Sequence, residues 1–574
     1  MSFHAGAGGV HPTWFGPQGA PLFGHVHVPE GGRARGGVVL CPPIGMEHVD
    51  SYRGLAYLAQ QLCAEGLLVL RFDYHGFGDS SGHQDAADAA SRWQDSVCAA
   101  VAFVRSCGVD RVALTGLRVG ALLAGVVARQ CGPLTALALW DPVIRGRTFL
   151  HQQRALYAIS FGADDPADPR VPITGAVLHA NAASELAGLD LLAAPLPDRV
   201  PVLLARRPED ATGSRLRRLA ERSGADELAV HGQEKFIEPG GFDVVVPTGD
   251  VDAIGRWLAD RFPAAAVPVT VAAHGDALVD GGPVRETVSR RGSDGLFTIE
   301  TAPVGSGPGG PTVLLYATAN EHRIGPTRLW VELARDLAAL GLTVVRFDRR
   351  GTGDTDPVAG AAPAPLYSAA QIADASNAVR SLAAPPAEVL VAGLCSGSWG
   401  AALGAADNGV RAAVLVNPLM WATRPIAFTR PAPPSTAAGP LAAGGRAVRR
   451  AAVAVRNVAR AAMPYRLWLL LGELGLTRVP EVLLTRLAAA GVSTTVLLAP
   501  EDTAVFDSNR GPEGLARLRR RGWPGRVRAF EAGNHSLYDL GLREQVRGEL
   551  MSAITDEFAM SPSPAVSRVA STGL

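Results

Sequence analysis

Lysine is almost absent from this chain of 574 residues: Lys235 is the only one, and all other basic side chains except histidine are arginine. The second half therefore has no amine for Schiff-base or Ser-Lys chemistry. The arginine preference, with abundant Ala and Gly, reads as coding bias and not as function. Net charge is zero, with 54 basic against 54 acidic residues, so the bulk field gives no argument for nucleic acid or an anionic membrane. Cysteine is sparse, at Cys41, Cys63, Cys98, Cys107, Cys131 and Cys395, with no close pair of the metal-binding kind and no dense disulfide framework. The pattern calls for no metal and no cofactor. The start Met1-Ser-Phe-His-Ala-Gly6 lacks the basic residues and apolar core of an export signal, which makes a reducing cytoplasm the expected compartment. Long apolar runs are also missing. Tyr465-Arg-Leu-Trp-Leu-Leu-Leu471, interrupted by Arg466 and followed by Glu473, is too short to span a bilayer.

What is present is one pentapeptide with chemistry in it. Gly393-Leu-Cys-Ser-Gly397 fits Gly-x-nucleophile-x-Gly, a sharp turn between a buried strand and a helix, in which side chains at the glycines would collide with neighbouring backbone. Glu388 to Ala392 reads as the strand, and the small residues from Ser398 to Ala406 allow a close-packed helix. Cys395 occupies the nucleophile position. Ser396 does not, because moving the frame by one puts Leu394 and Ser398 where the glycines belong. A lone buried cysteine is more often an inert small apolar residue, so the reading depends on partners.

Two partners follow in order. An apolar, β-rich run from Thr494 ends in Pro500-Glu-Asp502, and a second short strand from Arg526 leads to Gly533-Asn-His-Ser-Leu537. Nucleophile, then acid, then histidine, each after a successive strand, is the order of a hydrolytic triad on a parallel sheet. His535 takes the thiol proton and Asp502 orients its imidazole, with Glu501 and Asp507 as fallback acids. The oxyanion hole is expected from the backbone N–H of Ser396 and one from Thr318 or Ala319, after the strand Val313 to Tyr316.

The chain also repeats itself. Glu47-His48 recurs as Glu321-His322, and Leu70-Arg-Phe-Asp73 as Val345-Arg-Phe-Asp348, with one residue of drift; Gly76-Phe-Gly-Asp79 recurs as Gly351-Thr-Gly-Asp354. The first copy's turn is Gly116-Leu-Arg-Val-Gly120, with Arg118 at the nucleophile position, and arginine cannot attack a carbonyl. Pro208-Glu-Asp210 mirrors Pro500-Glu-Asp502, but no histidine takes its place after the last strand, and His231 is a poor substitute. The first half keeps the scaffold and loses the chemistry. Arg118 reads either as an anchor for an anionic ligand or, the favoured reading, as an arginine paired with a nearby acid. Candidate substrate contacts are Arg118, Trp399 and His322, although His48, His75 and His322 also read as structural polar residues in loops.

Through these motifs both halves resemble the α/β-hydrolase superfamily, in its serine-aminopeptidase-like or thioesterase-like branch. The first half is also similar to exosortase-system-associated hydrolases, through Cys41-Pro-Pro43, Gly116-Leu-Arg-Val-Gly120 and Leu139-Trp-Asp-Pro142. The resemblance spans about residues 12–260 and 290–558. It implies an α/β chain of two such domains in tandem, each a mostly parallel doubly wound sheet, the second with a helical lid. It departs from the family in its cysteine nucleophile and in the disarmed first half.

The expected layout is a degenerate domain over 12–262, a bridge over 263–311 with little core of its own, a catalytic domain over 312–560 and a disordered tail over 561–574. Leu296 to Glu300 is expected as an edge strand of the second sheet, with Leu22 to Val28 its counterpart. The lid falls at about 422–490. Within it Arg446, Arg449, Arg450, Arg456 and Arg460 share one helical arc, either a docking stripe for an acidic partner or a solvated face, and Tyr465 to Leu471 is a candidate wall of an acyl tunnel. The expected function is acyl transfer through a Cys395 thioester, as a thioesterase, acyltransferase or cyclase. Its partner is an acyl substrate, free or presented on a carrier protein, with no nucleic acid and no membrane span. An ester, lactone or peptide hydrolase is the alternative enzyme, and a non-catalytic binding protein the alternative of another class. Oligomeric state stays open.

Overall fold

Near-continuous apolar strands joined by amphipathic helices can bury both faces only as a parallel sheet between helical layers, and the chain builds that arrangement twice. In the computed structural model, which describes residues 8–162, 168–208, 214–238, 244–319, 321–355, 366–426 and 463–560, the first sheet comprises β1 (Gly9–Phe15), β2 (Leu22–Val28), β3 (Gly37–Cys41), β4 (Leu68–Phe72), β5 (Val112–Leu117), β6 (Leu137–Trp140), β7 (Val202–Arg206) and β8 (Asp226–Ala229). Their spatial order is β1-β2-β4-β3-β5-β6-β7-β8, antiparallel at β1 and β2 and parallel beyond. The second sheet comprises β9 (Asp276–Leu278), β10 (Val284–Arg291), β11 (Leu296–Pro303), β12 (Thr312–Tyr316), β13 (Thr343–Phe347), β14 (Val389–Leu394), β15 (Ala412–Val416), β16 (Ser493–Leu498) and β17 (Arg526–Ala529). It repeats the order as β9-β10-β11-β13-β12-β14-β15-β16-β17, with one more antiparallel strand at its start. The central strands β12 and β14 are buried along their whole length.

Two expectations need correction. Leu296 begins no edge strand: β11 pairs on both sides, with β10 and β13, and the edge is β9. Its counterpart β2 is likewise covered by β1. Nor is the bridge without a core. Val279 and Val284 from it pack with Phe297, Ile299, Trp14 and Phe23 into one buried cluster that ties the bridge to both halves. The tail at 561–574, Asp210 and the arginine stripe from Arg446 to Arg460 lie outside the described residues.

The repeat is spatial as well as sequential, because equivalent residues meet each other across a pseudo-twofold relation. Phe23 and Phe297 lie 6.5 Å apart by ring centroid, and His48 and His322 6.2 Å. The ion pairs are exchanged reciprocally. Arg71 reaches Asp354 at 2.9 Å, and its equivalent Arg346 reaches Asp79, the equivalent of Asp354, at 2.5 Å. Arg323 adds contacts to Asp79 at 2.8 Å, Asp348 at 2.6 Å and Asp354 at 2.9 Å. Each turn is braced alike: the Asp79 N–H donates to Asp73 and the Asp354 N–H to Asp348. Such a self-complementary face is the geometry of a twofold dimer, here within one chain.

Asp79→Ala strips a partner from two fully buried guanidinium groups, and breaking a buried pair costs about 3–5 kcal/mol. Denaturant unfolding should show that loss near neutral pH. Burial alone would raise the Asp79 carboxyl, but Arg323 and Arg346 outweigh it and hold it well below the usual carboxylate range. Its contribution is therefore full above the unfolded value of about 3.9 and fades as pH falls further, so the gap between variant and parent should narrow in acid.

Candidate active site

Cys395 stands between β14 and the helix α1 (Ser396–Asn408) with φ 54° and ψ −116°, in the positive-φ region that a non-glycine residue occupies only under strain. The glycines make the turn possible. A Cβ on Gly393 would lie 2.5 Å from the Gly397 carbonyl oxygen, and one on Gly397 2.6 Å from that of Ala317. The Cys395 N–H donates to Val416 at 2.9 Å, fixing the turn against β15. The thiol thus sits at the N-terminus of α1, where the Ser396 N–H bonds toward the sulfur.

His535, in the loop after β17, turns Nδ1 to Asp502 Oδ1 at 2.7 Å. Asp502 is buried at the start of the helix Pro500–Ser508, whereas Glu501 and Asp507 are exposed, so the fallback acids are not used. The other ring nitrogen, Nε2, is buried with no hydrogen-bond partner among the described residues, and the ring lines one cavity with Cys395. Burial alone would raise the Cys395 thiol, but His535, Thr318 and the Ser396 N–H outweigh it and lower it. Burial alone would lower His535, but Asp502 and Cys395 push it up to about 10. The pair is set toward thiolate and imidazolium.

The cavity holds about 50 Å³ and is lined by residues of both halves. Thr318, Ala319, Glu321, Leu394, Cys395, His535, Ser536 and Tyr538 come from the second half; Met46, Val49 and Asp50 come from the helix Met46–Ala64 of the first. The first half supplies a wall of the site.

Several expected residues sit elsewhere or act differently. The Ala319 N–H donates to Ser396 Oγ at 2.9 Å and so is already committed, which removes it from the expected oxyanion donors. The same bond spends the Ser396 hydroxyl on structure. Thr318 reaches Cys395 through its side chain. Trp399 is fully buried, its indole N–H bonded to the Ala422 carbonyl at 2.7 Å, so it is part of the core and does not line the cavity. His322 is buried between the halves, its ring 4.3 Å from that of Tyr52, and does not line the cavity. Arg118 repeats the elbow strain of Cys395, with φ 54° and ψ −118°, and pairs with Glu47 at 3.2 Å and Asp141 at 3.7 Å, away from the cavity. His48 faces Asp73 at 3.3 Å. The segment Tyr465 to Leu471 lies in the helix Tyr465–Glu473 with Leu467 and Leu470 exposed, and lines no part of this cavity.

Residues 318–545 match the model of the alpha/beta hydrolase family. This match places residues 318–545 in the alpha/beta hydrolase family. This makes the chain a hydrolase-type enzyme, built for hydrolytic or acyl-transfer chemistry. Among solved structures, Est1E from Butyrivibrio proteoclasticus is 14% identical over 44% of this chain and 98% of its own, with a TM-score of 0.34. An esterase of Pyrococcus furiosus is 14% identical over 45% of this chain and 92% of its own, at 0.31, and the proline iminopeptidase of Mycobacterium smegmatis 14% identical over 44% and 98%, at 0.29. No curated protein matches the chain in sequence. Among the described residues of this hydrolase no helix is long and apolar enough to cross a membrane.

Sequence reasoning missed Tyr367, buried beside Cys395 with φ 55° and its ring 5.5 Å from Trp399. Burial and the neighbouring Cys395 push its hydroxyl far above the usual phenol range, so it stays protonated beside the sulfur. No motif marks it. Asp50 and Met46 were missed because they belong to the other half.

Because the lowered Cys395 thiol becomes thiolate at lower pH than a free cysteine, iodoacetamide should alkylate it well below pH ~8.5. Cys63, pushed up to about 11 by burial, should stay unmodified there. His535→Ala removes the chief group holding the thiol down, and the alkylation profile should move to higher pH; an unmoved profile would separate the two side chains.

Proposed function

We propose that this protein is an acyl-transfer enzyme that works through a Cys395-His535-Asp502 triad and an acyl-thioester intermediate, as a thioesterase or an acyltransferase or cyclase. The observation that carries this reading is His535 held on one side by Asp502 at 2.7 Å while its free nitrogen shares a cavity with Cys395. The Cys395 sulfur attacks the acyl carbonyl carbon, and the C–S bond forms as the carbonyl electrons move to oxygen. The Ser396 N–H, with the hydroxyls of Thr318 and Tyr367, supports that oxyanion. On collapse the bond to the leaving group breaks, and His535 delivers its Nε2 proton to the departing sulfur or oxygen. In the second half-reaction Nε2 takes a proton from water, an alcohol or an amine as it attacks the thioester. The C–S bond then breaks and Cys395 leaves as thiolate. Asp502 balances the imidazolium in both passages.

A thioester leaving group suits this site better than an amide, since a thiolate that attacks a thioester carbonyl and expels its sulfur exchanges one thioester for another of similar energy. A thioester on Cys395 is also readily opened by amines, which favours transfer and cyclisation beside hydrolysis. The expected compartment for such a reduced thiol is the cytoplasm.

Turnover of a panel of acyl N-acetylcysteamine thioesters tests the proposal. Cys395→Ala should abolish it, and Asp502→Asn should lower kcat by about 10⁴, as loss of the correct tautomer does in related triads. A folded Cys395→Ala variant that keeps the parental rate would rule the mechanism out and favour a binding protein.

A further inference from the structure

The duplicated fold contains its own comparison for one carboxylate beside the nucleophile. Glu47 in the first half and Glu321 in the second are equivalent members of the repeated Glu-His pair. In the first half Arg118, at the nucleophile position, places its guanidinium 3.2 Å from Glu47, and Gln153 donates to the same carboxylate at 3.3 Å. In the second half that position is Cys395, which brings no cation. Glu321 is 94% buried: its residue exposure is 6%. Its Oε1 accepts from the Tyr538 hydroxyl, whereas Oε2 is buried with no partner among the described residues. It lines the Cys395 cavity, and so does Asp50, also 6% exposed, which no described side chain pairs. Two carboxylates thus face one small cavity whose only positive lining group among the described residues, His535, is already engaged by Asp502 and Cys395.

We infer that Asp50 and Glu321 form a subsite for a protonated amine, so that the acyl group delivered to Cys395 carries an ammonium close to its carbonyl. This rests on the acyl-transfer reading for its substrate class. The Arg118–Glu47 pair shows what the fold accepts at this place: a nitrogen cation held by the carboxylate that follows the first parallel strand of the sheet. A metal is the poorer fit, since no group of three or more His, Cys, Asp or Glu among the described residues could hold one. In the empty cavity burial pushes Glu321 up to about 7, and burial with the Glu321 and Glu47 charges pushes Asp50 up to about 8. An arriving ammonium restores both to the charged form. The subsite also explains why a chain with one working elbow retains a second domain: Asp50 comes from the disarmed half.

Two measurements on the full-length protein separate this subsite from the acyl chemistry. In the first, n-butylammonium should slow alkylation of Cys395 by iodoacetamide several-fold at millimolar concentration, whereas n-butanol at the same concentration should not. Glu321→Gln should remove the protection, and Asp50→Asn should do the same if the first variant fails to fold. Calorimetric titration with n-butylammonium gives the same answer without requiring a reactive thiol. In the second, 3-aminopropanoyl and butanoyl thioesters of N-acetylcysteamine differ by ammonium against methyl. The amino form should be favoured in kcat/KM by about 10–100-fold, the worth of a charge-assisted hydrogen bond, and Glu321→Gln should erase the preference. Equal protection by butanol and butylammonium, or protection unchanged in a folded Glu321→Gln, overturns the subsite. Butylammonium binding without turnover of either thioester leaves the subsite standing and refutes the acyl chemistry instead.

Discussion

Everything at the site depends on a reciprocal exchange of charge between the two halves. Arg71 pairs with Asp354 and Arg346 with Asp79, and Arg323 sits fully buried among Asp79, Asp348 and Asp354. A buried guanidinium tolerates no loose docking, because losing a partner strands its charge in low dielectric. The exchange therefore fixes how the first half lies on the second. That orientation carries Met46, Val49 and Asp50 to the mouth of the Cys395 cavity. The second elbow is strained like the first, and its cavity is walled in part by the first half.

The two elbows share one backbone. Arg118 and Cys395 hold nearly the same backbone angles, and each donates its N–H to the end of the neighbouring strand, at Trp140 and Val416. The scaffold demands the turn whatever side chain sits on it. What differs is charge: the arginine pairs with Glu47, while Cys395 offers Glu321 no cation and has its thiol lowered chiefly by His535. One geometry holds an arginine in an ion pair in one copy and a cysteine beside a histidine in the other.

The sequence made local features legible and distant ones opaque. The glycine spacing around Cys395, the order of Asp502 and His535, and the repeated Arg-Phe-Asp motifs each encode a turn or strand end within a few residues, so their placement could be read directly. Trp399 could not be told from a substrate contact, because its burial depends on Ala422 and Tyr367 approaching from elsewhere. Ala319 was read as an oxyanion donor because nothing local reveals that Ser396 Oγ takes its N–H. The strands β9 and β10 escaped notice because their charged, alternating residues resemble a linker until β11 pairs with them. Asp50 was beyond reach, since only the docking of the halves brings it to the thiol.

The most direct test of the account is to map the acyl group on the enzyme. After brief exposure to an activated acyl thioester and acid quench, peptide mass spectrometry should find one acyl group, on Cys395, removable by neutral hydroxylamine as a thioester is. An acyl group on Ser396 or another residue, or none on any peptide from an enzyme that turns the thioester over, would contradict it.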